Sequence, residues 1–188
     1  PEIADKKTMG MSCLFQLRET EKPSPFIRPE WAYEYPDDSY LPFREHYFNT
    51  RNNFWWMEIG GLADSIHDTE ELKDELLKIA FGVWDHIKNN GDHGYENWDL
   101  DWLGFVPGKR ESRRYKGKYV VTQNDVEAAG RFDDVVAYGG WTMDDHFPGG
   151  FYYTDGEPTI FHPAPSPWGI PLRSLISKNI DNLVFAGR

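Results

Sequence analysis

At 188 residues with a formal charge of −11, the chain is long enough to bury a core, and its acidity argues against nucleic acid and against an anionic membrane surface as partners. No run approaches the roughly 18 apolar residues of a membrane span. The single Cys13 can form neither an internal disulfide nor a thiolate metal site, which tilts the compartment toward a reducing one such as the cytoplasm. The six His lack the i, i+4 pairing of a metal helix, so no metal site is expected. Aromatic residues reach 16%, with eight Trp, a density that serves a core, a subunit interface or a sugar-stacking surface.

Residues 10–17 (GMSCLFQL) are apolar enough for a strand, and the Pro-rich run at 22–31 (KPSPFIRPEW) turns the chain into an extended loop carrying Phe26 and Trp31. A second strand is predicted over 53–59 (NFWWMEI), closing on Gly60 and Gly61, where positive φ or close backbone approach is permitted. Asp68 with Glu71 three residues on predicts a capping box. Leu72, Leu76, Ile79, Val83 and Ile87 then recur at helical spacing, one apolar stripe that ends at Lys88 before Asn89, Asn90 and Gly91. His86 lies inside this helix and reads as structural.

The segment 107–122 (PGKRESRRYKGKYVVT) is basic, with Lys116 and Gly117 reading as a hairpin turn between 111–115 and 118–121. Thr122 caps a short helix, and 131–138 leads into a strand that ends at Gly139 and Gly140. The stretch 141–169 is rich in Gly and Pro, with loops around Asp145 and Ser166. No linker interrupts the chain, so a single α+β domain over 1–188 is expected, built on a largely antiparallel sheet. The chain opens on Pro1 and closes on a short apolar run at 183–186, read as a buried strand, before Gly187 and Arg188. It reads as a piece of a larger protein.

Five separated motifs carry a family resemblance. WWMEIGG at 55–61, the helix containing WDHIKN at 84–89, ESRR at 111–114, FDDVVAYGGWTMDDH at 132–146, and IPLRSL at 170–175 with NLVFAGR at 182–188 resemble the FAD-dependent oxidoreductases. The resemblance implies a two-domain flavoprotein whose FAD accepts a hydride equivalent from a small-molecule substrate, sugar-related compounds among the candidates. The GxGxxG loop that holds the FAD pyrophosphate in such proteins does not occur in this chain. The resemblance therefore implies a substrate-side domain that binds FAD weakly or not at all, with the missing flavin-binding domain as its partner.

Candidate site residues follow from these motifs. Arg113 and Arg114, if they lie on a strand, point to opposite faces, and either can grip a carboxylate or phosphate or else pair with nearby acids. Within the resemblance one of them lines the flavin or substrate side, Arg114 taking the catalytic role and Arg113 the cofactor role. His146 follows Asp144 and Asp145, and a His titrating near neutrality can exchange a proton with the oxidised substrate, with Asp145 orienting the ring. A surface His–Asp pair is the competing reading. Arg173 stabilises a developing anion or ties its loop to the flavin domain, while Gly187 and Arg188 stand at the cofactor side. An alternative from another class is a carbohydrate-binding or carbohydrate-processing accessory domain that uses Trp98, Trp102 and Tyr152.

Overall fold

The computed structural model describes residues 7–47, 54–111 and 113–186. Their contacts fall into two compact units, Pro1–Ser112 with His146–Pro158, and Arg113–Asp145 with Thr159–Arg188.

The first unit is organised by the helix the periodicity predicts. Helix α1 spans Thr69–Asn89 and buries Leu76, Ile79, Val83, Trp84 and Ile87; each fully buried aliphatic side chain contributes about 1.5–3 kcal/mol. Gly82 sits where the Pro-rich loop crosses the helix: a Cβ there would stand 2.5 Å from the Tyr33 carbonyl oxygen. The start of α1 departs from the expected capping box. Asp68 makes no side-chain cap bond; the backbone already turns from Asp64 into Asp68, and the Asp68 carboxylate faces back to accept from the Asp64 amide at 3.1 Å.

Around α1 lie short antiparallel pairings. Strand β1 (Met11–Ser12) is flanked by β3 (Glu58–Ile59) and β5 (Gly108–Lys109), with Met11 opposite both Ile59 and Lys109. Strand β2 (Phe15–Glu19) pairs with β4 (Trp98–Leu103). The strand predicted over 53–59 shortens to β3, because Phe54 to Met57 form a turn closed by the Met57 amide on the Phe54 carbonyl at 3.1 Å. The turn lets neighbouring Trp56 and Met57 both enter the core, at 2% and 1% exposure. A strand would send one of them out. Gly60 and Gly61 behave as the sequence suggests: Gly60 has φ +92°, and a Cβ on Gly61 would meet the Thr8 and Pro148 carbonyls at 2.5 Å.

In the second unit, helix α2 (Gln123–Glu127) starts under the predicted Thr122 cap, which forms a full capping box with Asp125. Strand β6 (Val135–Gly139) pairs antiparallel with β9 (Trp168–Pro171), and β7 (Met143–His146) pairs with β8 (Thr159–His162). Asp145 thus lies in a strand where a loop was predicted. The hairpin predicted at Lys116 and Gly117 is replaced by long-range pairing: Lys118 donates to Ile176 and Lys178 to Lys116, each at 2.9 Å. Gly117 serves close packing instead of a turn, since a Cβ there would lie 2.4 Å from the Ser174 carbonyl oxygen. The run at 183–186 is no buried strand: it makes a single bridge from Val184 to Ile176, and Val184 is 69% exposed.

Helices with several small antiparallel sheets make an α+β fold. Among the described residues no helix is long and apolar enough to cross a membrane.

Candidate functional site

His146, the last residue of β7, is the predicted site residue that the structure places in a defined chemical setting. Its Nδ1 lies 3.2 Å from Glu58 Oε2, with the two side chains 9% and 4% exposed. The Trp55 ring stands against the imidazole at 5.5 Å between centroids. Glu58 is fixed in turn, because its Oε1 accepts from the Gly10 amide at 3.1 Å across the β1–β3 pairing.

The segment after His146 is pressed onto the same strand. Gly150 has φ +55°, and a Cβ there would stand 2.1 Å from the Glu58 carbonyl oxygen, so only glycine allows this approach. Arg44, buried, holds the segment from the other side by donating to the carbonyls of Gly150 at 3.2 Å and Tyr153 at 2.7 Å.

An ionised Glu58 can only accept, so the ring hydrogen sits on Nδ1 and the Nε2 lone pair is left to take a proton. A carboxylate behind an imidazole orients the ring. The sequence assigned this part to Asp145, but alternation along β7 turns Asp145 away from its neighbour. Asp145 is 72% exposed as a side chain and stands 3.8 Å from His162 Nε2. Asp144 accepts from Trp141 Nε1 at 3.2 Å and from the Thr142 hydroxyl at 2.7 Å. Glu58, 88 residues away, carries no local signal that would mark it as the partner.

The predicted arginines lie in the second unit. Arg113 and Arg114 are both exposed and stand in irregular backbone, so strand alternation does not sort one from the other. Arg173 is held firmly: Nη1 donates to Asp134 Oδ1 at 2.7 Å, its amide donates to Asp134 Oδ2 at 3.0 Å, and the guanidinium lies over the rings of Tyr119 and Phe132 at 4.8 and 5.3 Å. Tyr119 donates to Asp125 at 2.9 Å, a bond that raises its phenol pKa. A recess of about 580 Å³ opens beside α2, lined by Asp125, Ala128, Arg131, Phe132 and Pro165 among others. Gly187 and Arg188 lie outside the described residues.

Of the aromatic trio proposed for sugar stacking, Trp98 packs partly buried against the core, while Trp102 and Tyr152 are each 56% exposed, with the Tyr152 hydroxyl bonded to Glu75; nothing in the arrangement supports sugar binding.

Sequence reasoning also missed a grouping of histidines. Asp38, His46, His86 and His93 offer ligand atoms that all lie within 4.8 Å of one another. The i, i+4 criterion could not find it, because the four come from three separate segments.

A family model described as FAD dependent oxidoreductase matches residues 3–188. Comparison with curated proteins and with solved structures gives no significant match.

Proposed function

Since the chain belongs to the FAD-dependent oxidoreductase family, we propose that it forms the substrate-side part of a flavoenzyme that oxidises a small organic molecule, with His146 exchanging the substrate's proton. When bound, FAD supplies the acceptor for the hydride equivalent. The chain's own residues do the rest: they bind the molecule, orient it and move the proton.

The observation that carries this reading is the buried Glu58–His146 pair at 3.2 Å. His146 Nε2 takes a proton from an O–H or C–H group as it is oxidised, and Glu58 holds the ring in place. On the family resemblance alone, Arg114 and Arg173 are assigned to the substrate and Arg113 to the cofactor.

Neither helix offers the pyrophosphate of FAD a free N-terminus of the kind that holds it in a dinucleotide fold. Helix α1 begins behind Asp68, Glu70 and Glu71, whose charges repel a phosphate where the helix dipole would otherwise attract it. Helix α2 is five residues long, and its capping box occupies the Thr122 and Asp125 amides. Residues 1–188 alone are therefore expected to purify colourless, while the flavin-loaded enzyme carrying them is yellow; stoichiometric flavin on the chain alone would show that it holds the cofactor itself.

Two substitutions test the proton role in that flavin-loaded enzyme. His146→Ala is expected to slow flavin reduction, followed by stopped-flow absorbance, by about a hundredfold or more. Glu58→Gln keeps the shape but removes the charge, and is expected to shift the pH profile of the reduction rate. Reduction at an unchanged rate in His146→Ala refutes the assignment.

A further inference from the structure

In the first unit, far from His146 in sequence, three imidazoles meet one carboxylate. The rings of His46, His86 and His93 stand at 5.0, 5.1 and 5.0 Å from one another by centroid, forming a near-equilateral triangle. Asp38 Oδ1 caps the triangle at 3.3 Å from His46 Nδ1, 3.2 Å from His86 Nε2 and 3.4 Å from His93 Nε2. A further edge, His86 Nε2 to His93 Nε2, is 3.2 Å.

The outer nitrogens decide what the inner ones carry. His86, fully buried, points Nδ1 at the Tyr35 carbonyl oxygen at 2.8 Å. A carbonyl accepts only, so the hydrogen of a neutral ring sits on Nδ1 and Nε2 presents a lone pair. His46 likewise turns Nε2 to the Leu41 carbonyl at 3.4 Å and leaves Nδ1 facing inward. Two lone pairs therefore confront a carboxylate oxygen at contact distance, and only His93 has a hydrogen to offer. Inward-facing lone pairs and a carboxylate oxygen this close together form an arrangement that a cation between them satisfies.

The spacing fits such a cation. Zinc-type tetrahedral sites have metal–nitrogen and metal–oxygen bonds of about 2.0–2.2 Å, which place neighbouring ligand atoms roughly 3.3–3.6 Å apart. Four of the six edges of this group fall at 3.2–3.4 Å. Histidine ligands also donate their second nitrogen to a carbonyl or carboxylate, as His86 and His46 do here. Gly91 leaves room for the third ring: a Cβ there would stand 2.2 Å from His93 Nε2.

We propose that Asp38, His46, His86 and His93 bind one divalent transition-metal cation of the zinc type. With four protein ligands the coordination is closed, so the ion is structural: it fastens the segment from Asp38 to His46 and the turn at His93 to the C-terminal half of α1. A unit whose strands run two to six residues gains most from such a staple.

The experiment uses protein prepared without a histidine tag, stripped with a chelator and titrated with Co(II). The expected result is the visible d–d absorption of tetrahedral Co(II), saturating at one equivalent, abolished by competing Zn(II), and accompanied by a rise in melting temperature with Zn(II). His93→Ala removes a partly exposed ligand, and Asp38→Asn removes a charge from an exposed side chain; each is expected to weaken Co(II) binding at least tenfold while leaving the far-UV circular dichroism of the stripped protein unchanged. Wild-type protein that develops no Co(II) absorption, or equal affinity in wild type and His93→Ala, overturns the proposal. Absorption typical of six-coordinate Co(II) overturns the closed tetrahedral assignment.

Discussion

Arg44 is a buried cation solvated almost wholly by backbone, and removing it tests how the His146 segment is held in place. Its guanidinium donates to the carbonyls of Gly150 at 3.2 Å and Tyr153 at 2.7 Å, with longer contacts to Phe151, Phe43 and Pro42. Burial pushes its pKa below the ordinary value, opposed by the charge of Glu157. In Arg44→Met the apolar stem is kept and the donors are lost. Two well-made bonds from a charged donor are worth about 1.5–3 kcal/mol each, and the desolvation of the guanidinium that no longer has to be offset returns part of that. A net loss of about 2–4 kcal/mol follows, or roughly 5–15 °C in melting temperature for a chain of this size. Urea denaturation followed by tryptophan fluorescence measures it, since Trp56 lies against Phe151 at 6.2 Å. Arg44→Lys offers one ammonium to two diverging carbonyls and is expected to restore no more than half of the loss. A change below about 0.5 kcal/mol for Met, within the range of surface substitutions, or full recovery with Lys, would refute the claim that the paired bonds hold residues 150–153.

Two further outcomes follow from single groups. Burial pushes the Cys13 thiol up to about 11, so at pH 8 roughly one molecule in a thousand carries the thiolate; Ellman's reagent is expected to react with Cys13 only after urea unfolding, and labelling of the native protein within minutes would contradict this. Hydrogen bonds from the His67 ring and from the His67 and Ile66 amides hold the Asp64 carboxyl down to about 2. Because that lies below the unfolded value, the contribution of Asp64 to the 64–68 turn is present above about pH 4 and lost as pH falls through about 2. Its carboxyl carbon is expected to titrate near 2 by NMR and to move upward in His67→Ala; a wild-type midpoint near 4 refutes the bonding.

What was legible in the sequence is what local spacing encodes. The stripe from Leu72 to Ile87 marked α1 because one face of a long helix repeats its chemistry every three or four residues, and Thr122 marked α2 because an N-cap residue is itself a local signal. Short strands carry no such repetition. The run at 53–59 looked like one strand because it is apolar, yet a turn does the same burial with neighbouring Trp56 and Met57 both inward. Lys116 and Gly117 looked like a turn because glycine serves both turns and close packing, and the partner that decides between them, Ser174, is nearly sixty residues away.

The candidate sites follow the same division. His146 could be picked out because a histidine beside two acids is a local signal; its partner could not, because Glu58 reaches it only once the segment 146–150 packs on β3. The histidine group is harder still. His86 read as a structural residue, satisfied or solvated, and it is fully buried; what no window of sequence contains is that His46, His93 and Asp38 converge on its inward nitrogen. In a unit with so little regular sheet, side chains are placed less by the geometry of strands than by individual ties between distant segments. Arg44 on the 150–153 carbonyls is one tie, Glu58 on the Gly10 amide and His146 a second, and the Asp38 cluster a third. Each joins polar groups that would cost several kcal/mol if buried unpaired. Loss of any one tie is therefore expected to lower the melting temperature of the first unit.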